Sequence, residues 1–199
     1  VEPARTLTER RQARKESLAD RISAASEIIK SSDQIWLVWC NLNAESEGMA
    51  ASVPGAVEVT GSDSPEHKET SMLAFSGGQI RCLVSKPKIA GFGMNWQNCN
   101  NMVFVGLSDS YEQFYQSVRR CWRFGQKKAV NAHIVIGERE GAVVENIKRK
   151  ERDMAAMFDG MVRHMADIMK QEIRKTEREQ TDYNPTVEMK LPKFLEEAA

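Results

Sequence analysis

Five short runs decide what this chain can build. "QIWLVWC" (34–40), "AVEVT" (56–60), "QIRCLVS" (79–85), "NMVFVGL" (101–107) and "VNAHIVI" (130–136) each read as a strand, and helical segments separate them. "AESEGMAASV" (44–53) reads as a short helix. "SPEHKETSMLAF" (64–75) opens with Ser64 as an N-cap, Pro65 at the first helical position and Glu66 in the first turn. "YEQFYQSVRRCWRF" (111–124) reads as a third helix, with Ser110 and Gln113 expected to form a capping box. Strands that alternate with helices predict an α/β fold: a mainly parallel sheet with helices on both faces.

Helical segments flank this core. Residues 5–30 read as one polar helix with a sparse apolar stripe at Leu18, Ile22, Ala25 and Ile29. Beyond Gly141 the pattern is helical to about residue 180, with Met154, Met157, Met161, Met165 and Met169 three or four apart. That stripe is expected to be a packed helix face. The expected organisation is a lead-in helix (1–32), an α/β lobe (33–137), a helical extension (138–182) and an extended or disordered tail (183–199). The chain opens on Val1, not Met, so a piece of a longer protein is expected.

Composition excludes several classes. With 41% apolar and 28% charged residues, the 199-residue chain is an ordinary globular mix. No apolar run approaches the roughly 18 residues that span a bilayer, and no signal-peptide pattern opens the chain, so no membrane partner is expected. Cys40, Cys82, Cys99 and Cys121 form no CxxC pair and no zinc spacing with His67, His133 or His164. They are expected to be reduced, mostly buried cysteines of a cytoplasmic protein. His133, inside an apolar run, is expected to be a core histidine. The formal net charge of zero hides a segregation. Residues 31–70 hold Lys68 against seven acids, whereas residues 79–128 hold eight Lys and Arg against Asp109 and Glu112. Such an excess suits a polyanionic partner.

The densest part of that excess is "QSVRRCWRFGQ" (116–126). At 100° per residue, Gln116, Arg120 and Arg123 would share an arc of about 60° on one helix face. Tyr111, Phe114, Tyr115, Val118, Cys121 and Trp122 would lie opposite and anchor it. Planar guanidinium groups chelate phosphate oxygens and stabilise charge that develops in phosphoryl transfer.

This stretch resembles motif VI of the superfamily-two helicases, in the form used by Swi/Snf-type ATPases. Upstream, "KPKIAGFGMN" (86–95) is similar to motif V of the same group, with Gly91, Gly93, Met94 and Asn95 matching its G-x-G-hydrophobic-N ending. The two glycines let the backbone pass close to a ligand. Gln116 follows Asn95 by 21 residues. "IWLVWCNLNAESEGMA" stands where motif IV belongs, and "VTGSDSPEHKETSMLAF" resembles the stretch after it. "EGAVVENIKRKERDMAAMF" is similar to the helix that follows the motor core. The pairing of motifs V and VI looks most like phage and prophage helicase-like proteins. Where the Swi/Snf-type pattern has Ser-Thr before the motif V glycines, this chain has Lys86 and Pro87.

The resemblance implies a RecA-like second lobe, closed by DNA and by a first lobe of the same parent chain. Within this chain there is no GxxxxGK[ST] and no DExH-like box, so ATP and Mg2+ would be held mainly by that first lobe. It implies Arg123 as arginine finger, Arg120 at the γ-phosphate and Gln116 organising the same face. Gly91, Gly93 and Asn95 would face the nucleotide, and Arg81, Lys86 and Lys88 the DNA. A non-catalytic RecA-like docking module is the alternative. A bacterial or phage-infected cytoplasm is the expected setting.

Overall fold

The computed structural model describes residues 6–90 and 94–175. Its five strands are β1 (Trp36–Cys40), β2 (Ala56–Val59), β3 (Cys82–Ser85), β4 (Asn101–Val105) and β5 (Asn131–Val135). They form one sheet, every pairing parallel, in the order β2-β3-β1-β4-β5.

Period-2 alternation of side chains feeds two cores. Trp36, Val38 and Cys40 of β1, with Cys82, Val84, Val103 and Val105, face α2 (Leu18–Lys30) and α3 (Asn43–Ser52) through Ala25, Ile29, Met49 and Val53. Leu37, Trp39, Leu83, Met102 and Phe104 face the other way. They meet Phe75 of α4 (Pro65–Ser76), Ala90 of α5 (Pro87–Ala90), Phe114 of α6 (Tyr111–Val118), and Val143 and Ile147 of α7 (Gly141–Lys175). Each fully buried side chain of this size contributes about 1.5–3 kcal/mol. That burial is why three central strands read as unbroken apolar runs. Ser64 caps α4 as expected, its hydroxyl accepting from the His67 amide at 3.2 Å, with Pro65 first in the helix.

The structure corrects four local expectations. Residues 5–30 are not one helix: α1 (Leu7–Glu16), opened by a Thr6–Glu9 capping box, ends at Ser17, and α2 follows. The break lets Arg14 of α1 and Arg21 of α2 converge on Glu45. His133 is not in the core. β5 is an edge strand with only β4 beside it, and Asn131 to Ile134 are exposed. The imidazole lies 5.6 Å from the Trp36 ring, centroid to centroid. The methionine stripe is not packed: Met154, Met157, Met161 and Met165 are exposed, together with Phe158 and Val162. Met169 lies outside the described side chains.

The fourth correction concerns α6, which stops at Val118 instead of reaching residue 124. Its last turn tightens into i→i+3 bonds, Arg120 N to Ser117 O and Cys121 N to Val118 O, both 3.2 Å. By contact, residues 1–154 form one compact unit and residues 155–199 a second. In the second, the described residues continue α7 to Lys175; the expected tail (183–199) lies outside them.

Candidate functional site

In a parallel sheet, the loops that leave the carboxyl ends of the strands gather on one edge. β1 leads to α3 on one face and β4 leads to α6 on the other, so the connections diverge between these neighbouring strands. Such switch points are where doubly wound sheets open a crevice. Here the crevice is filled from within. The Arg21 guanidinium meets Glu45 Oε1 at 2.7 Å, and both side chains are buried. Glu45 Oε2 accepts from the amides of Asn41 and Leu42 at 2.8 and 2.9 Å. Arg14 donates to the Leu107 carbonyl at 2.6 Å and lies 3.5 Å from Glu140. Gly106 makes room for this cluster. Its φ is +77°, and a Cβ there would sit 2.8 Å from both arginines. A cleft of about 430 Å3 beside it, lined by Ser17, Asp20, Arg21, Val135, Gly137 and Arg139, contains no motif V or motif VI residue.

The motif VI stretch sits elsewhere on this edge. Ser110 caps α6, its hydroxyl accepting from the Gln113 amide at 3.3 Å. The expected reciprocal bond is missing, because Gln113 Oε1 instead accepts from the Ser108 hydroxyl at 3.4 Å, so this is a single cap and not a box. Gln116 lies in α6, but Arg120 and Arg123 lie past its end, so the shared helical arc does not form.

The two arginines have separated roles. Arg120 is 4% exposed. Its Nε donates to the Gln116 carbonyl at 3.1 Å, Nη2 to Gln116 Oε1 at 3.2 Å, and Nη1 to the Met94 carbonyl at 3.2 Å. It thus satisfies a carbonyl that the helix end leaves open. Burial, then the charges of Arg123 and Arg119, pulls its pKa below the usual guanidinium value. Arg123 is half-buried, and among the described residues nothing accepts a hydrogen bond from its guanidinium.

The backbone around Arg123 is strapped to the segment that follows motif V. The Trp96 amide donates to the Arg120 carbonyl at 2.9 Å, and Gln97 Nε2 donates to the Phe124 carbonyl. The Gln126 amide group reaches the carbonyls of Gln97, Cys99 and Cys121 at 3.1, 3.3 and 3.2 Å, so its two hydrogens are shared among three acceptors. The Gln126 backbone N–H donates to the Arg123 carbonyl at 3.0 Å, and Gly125 turns the chain with φ +93°. Trp122, expected on the anchoring face, is 52% exposed, with the Arg119 guanidinium 5.6 Å from its ring. No acid occurs from residue 113 to residue 137.

The remaining expected site residues are scattered. Gly91 and Gly93 lie outside the described residues, and Asn95 is exposed. Lys86, just past the carboxyl end of β3, donates to Asn43 Oδ1, and Lys88 is exposed on α5. Arg81 sits at the opposite end of β3, where its guanidinium caps the α2 end through the carbonyls of Ile29 and Ser32. It therefore shares no face with Lys86. Among the described residues no group of three or more His, Cys, Asp or Glu could hold a metal ion. All four cysteines are buried and free.

The helicase conserved C-terminal domain matches residues 20–125, more than half of the chain. The chain belongs to that family. Its sheet and flanking helices have the RecA-like fold of a helicase C-terminal domain. Three solved structures share the fold of this helicase C-terminal lobe. The C-terminal part of the Fun30 ATPase domain is 19% identical, with a TM-score of 0.58 over 64% of this chain and 44% of that one. The C-terminal domain of the DEAD-box protein Dbp5 is 13% identical, with a TM-score of 0.57 over 68% of this chain and 80% of that one. A DEAD box protein from the hyperthermophile Methanococcus jannaschii is 21% identical, with a TM-score of 0.60 over 67% of this chain and 37% of that one. No curated protein matches the sequence. The helicase lobe thus spans less than half of the Fun30 and Methanococcus chains.

Sequence reasoning missed Gln97, Arg14, Arg21, Glu45 and Glu140 as working side chains. The ion pairs and the strap that give them these roles join residues 24 to 126 apart, which local sequence does not mark.

Proposed function

We propose that this lobe belongs to a Swi/Snf-type, ATP-dependent DNA helicase or translocase of phage or prophage kind, working in the bacterial cytoplasm. It supplies Arg123 in trans to ATP held on the first lobe. The observation that carries this reading is the contrast between the two motif VI arginines. Arg120 is spent on bracing the loop, while the Arg123 guanidinium has no acceptor among the described residues and its backbone is pinned at Phe124 and Gln126. A pre-positioned cation that no described group engages fits a group that meets phosphate only when the lobes close.

The nucleotide and its Mg2+ would be held mainly by the first lobe. The donor set here fits only the phosphate end: a guanidinium, and no acid cluster for a metal among the described residues. When bound, ATP would supply the phosphoryl group whose transfer to water drives stepping. Arg123 offsets the charge that develops there, and Gln116 and Arg120 hold its loop. Lys86 and Lys88 contact DNA phosphates, and Gly91, Gly93 and Asn95 are the motif V residues assigned to the nucleotide.

The test is single-turnover hydrolysis by the parent protein at saturating DNA, with Arg123→Ala and Arg123→Lys. A finger is worth about 10³–10⁵ in rate, and lysine lacks the planar fork, so both variants should be slow with nucleotide affinity nearly unchanged. Near-normal turnover in Arg123→Ala removes the assignment. The isolated lobe should show no steady-state ATPase above its own Arg123→Ala control.

A further inference from the structure

We propose that Phe124 is the apolar anchor through which this lobe docks onto the nucleotide-binding lobe when the two close over ATP. The proposal rests on Arg123 acting as the finger. Phe124 is 102% exposed, the most exposed large apolar residue among the described ones, yet its backbone is held on both sides. Gln97 Nε2 donates to the Phe124 carbonyl, the Arg123 carbonyl accepts from Gln126 N at 3.0 Å, and Gly125 follows in a left-handed turn. A ring presented on a braced loop loses little further backbone freedom on binding, which is what preorganisation contributes to an interface.

Adjacency names the occupant. Consecutive Cα atoms lie about 3.8 Å apart, so a surface that receives the Arg123 side chain comes within reach of an exposed Phe124 ring. Trp122, on the other side of Arg123 in sequence, is exposed as well. An aromatic beside an arginine at the centre of a patch is the usual composition of an interface hot spot. Charge agrees as well. The acid-free stretch 113–137 carries Arg119, Arg120, Arg123, Lys127 and Lys128. It complements a lobe made anionic by bound phosphates and the carboxylates that hold their metal. Single-stranded DNA stacking on these rings is the other chemistry that exposed aromatics among cations suit, and the experiment tells the two apart.

The probe is p-benzoylphenylalanine introduced at position 124 of the parent protein, irradiated with DNA and with or without a non-hydrolysable ATP analogue. The expected adducts lie on peptides of the nucleotide-binding lobe and rise severalfold with the analogue. Adducts on DNA, adducts indifferent to the nucleotide, or no adducts overturn the proposal. In parallel, Phe124→Ala should lower kcat/KM for ATP by about tenfold or more, as for a hot-spot truncation, while Phe124→Leu stays close to the parent. An inactive Arg123→Ala beside a fully active Phe124→Ala refutes the anchor and leaves the finger standing. A fully active Arg123→Ala removes the finger, and with it the reason to place Phe124 at this interface.

Discussion

The Arg120 guanidinium donates to the Met94 carbonyl at 3.2 Å, and so ties the loop after α6 to the 94–97 segment. The same side chain closes the end of α6 on Gln116. Arg120→Ala should therefore destabilise the lobe, because it leaves part-buried carbonyls without donors at up to about 1–3 kcal/mol each. Arg123→Ala, three residues on and without an acceptor among the described residues, should stay within about 0.5 kcal/mol. Urea unfolding of both variants checks this. Equal stabilities would show that Arg120 is not a brace.

Gln97 and Gln126 brace the loop that carries Arg123, the proposed finger, through its backbone. Displacing a reacting group by about 1 Å can cost up to about 100-fold in rate. Gln97→Ala and Gln126→Ala in the parent protein should lower kcat far more than they raise KM for ATP. Steady-state kinetics decides it: a change confined to KM, or none, would mean that the strap does not set the finger.

The Arg21–Glu45 pair is buried on both sides, at 1% and 0% exposure. Removing one partner of such a pair costs about 3–5 kcal/mol, because the other charge stays buried. Glu45→Ala and Arg21→Ala should each approach that loss. The double variant should fall well short of their sum, since each single change already breaks the same contact. Additive losses in denaturant titration would dismiss the coupling.

Lys86 and Lys88 lie close together on the β3–α5 segment, whereas Arg81 is engaged with α2 carbonyls. Each phosphate contact contributes about 0.9 to the slope of log K against log salt on duplex DNA. Lys86→Ala with Lys88→Ala should weaken binding by the parent protein and flatten that slope by about 1–2, whatever the DNA sequence. Arg81→Ala should instead lower the melting temperature. An unchanged slope in the double variant would refute the DNA-facing placement.

Burial pushes the Cys82 thiol from 9.0 up to about 12. The folded state thus keeps its proton where the unfolded chain loses it. The stabilisation is complete below pH 9 and is lost as pH rises towards 12, at about 1.4 kcal/mol per pH unit for one thiol. The difference in unfolding free energy between the parent lobe and Cys82→Val should shift by that slope over this window. A pH-independent difference would contradict it. Cys40 is raised chiefly by burial, and Cys121 chiefly by a hydrogen bond with Cys99, so native thiol labelling near pH 8 should be slow at all four cysteines.

What local sequence could determine, it determined well. The runs at Trp36, Cys82 and Asn101 are apolar because strands covered on both faces must be, and each became a central or near-central strand. Ser64-Pro65 marked a helix start because a hydroxyl and a missing N–H act within one turn. The spacing of Gln116, Arg120 and Arg123, with the resemblance it carries, singled these residues out. Their separate contacts were not legible there. Helical geometry was extrapolated six residues past Val118, where i→i+3 bonds and Gly125 redirect the chain. The exposure of His133 and of the α7 methionines was equally hidden, because a residue's type does not say what lies beside its strand or helix. Only the tertiary structure decided that Arg120 braces while Arg123 has no acceptor among the described residues, that Gln97 straps the loop after α6, and that Arg14 and Arg21 fill the switch point. The physical reason is the same each time. These are contacts between segments far apart in the chain, and a side chain's role there depends on which carbonyls and carboxylates folding brings within about 3 Å of it.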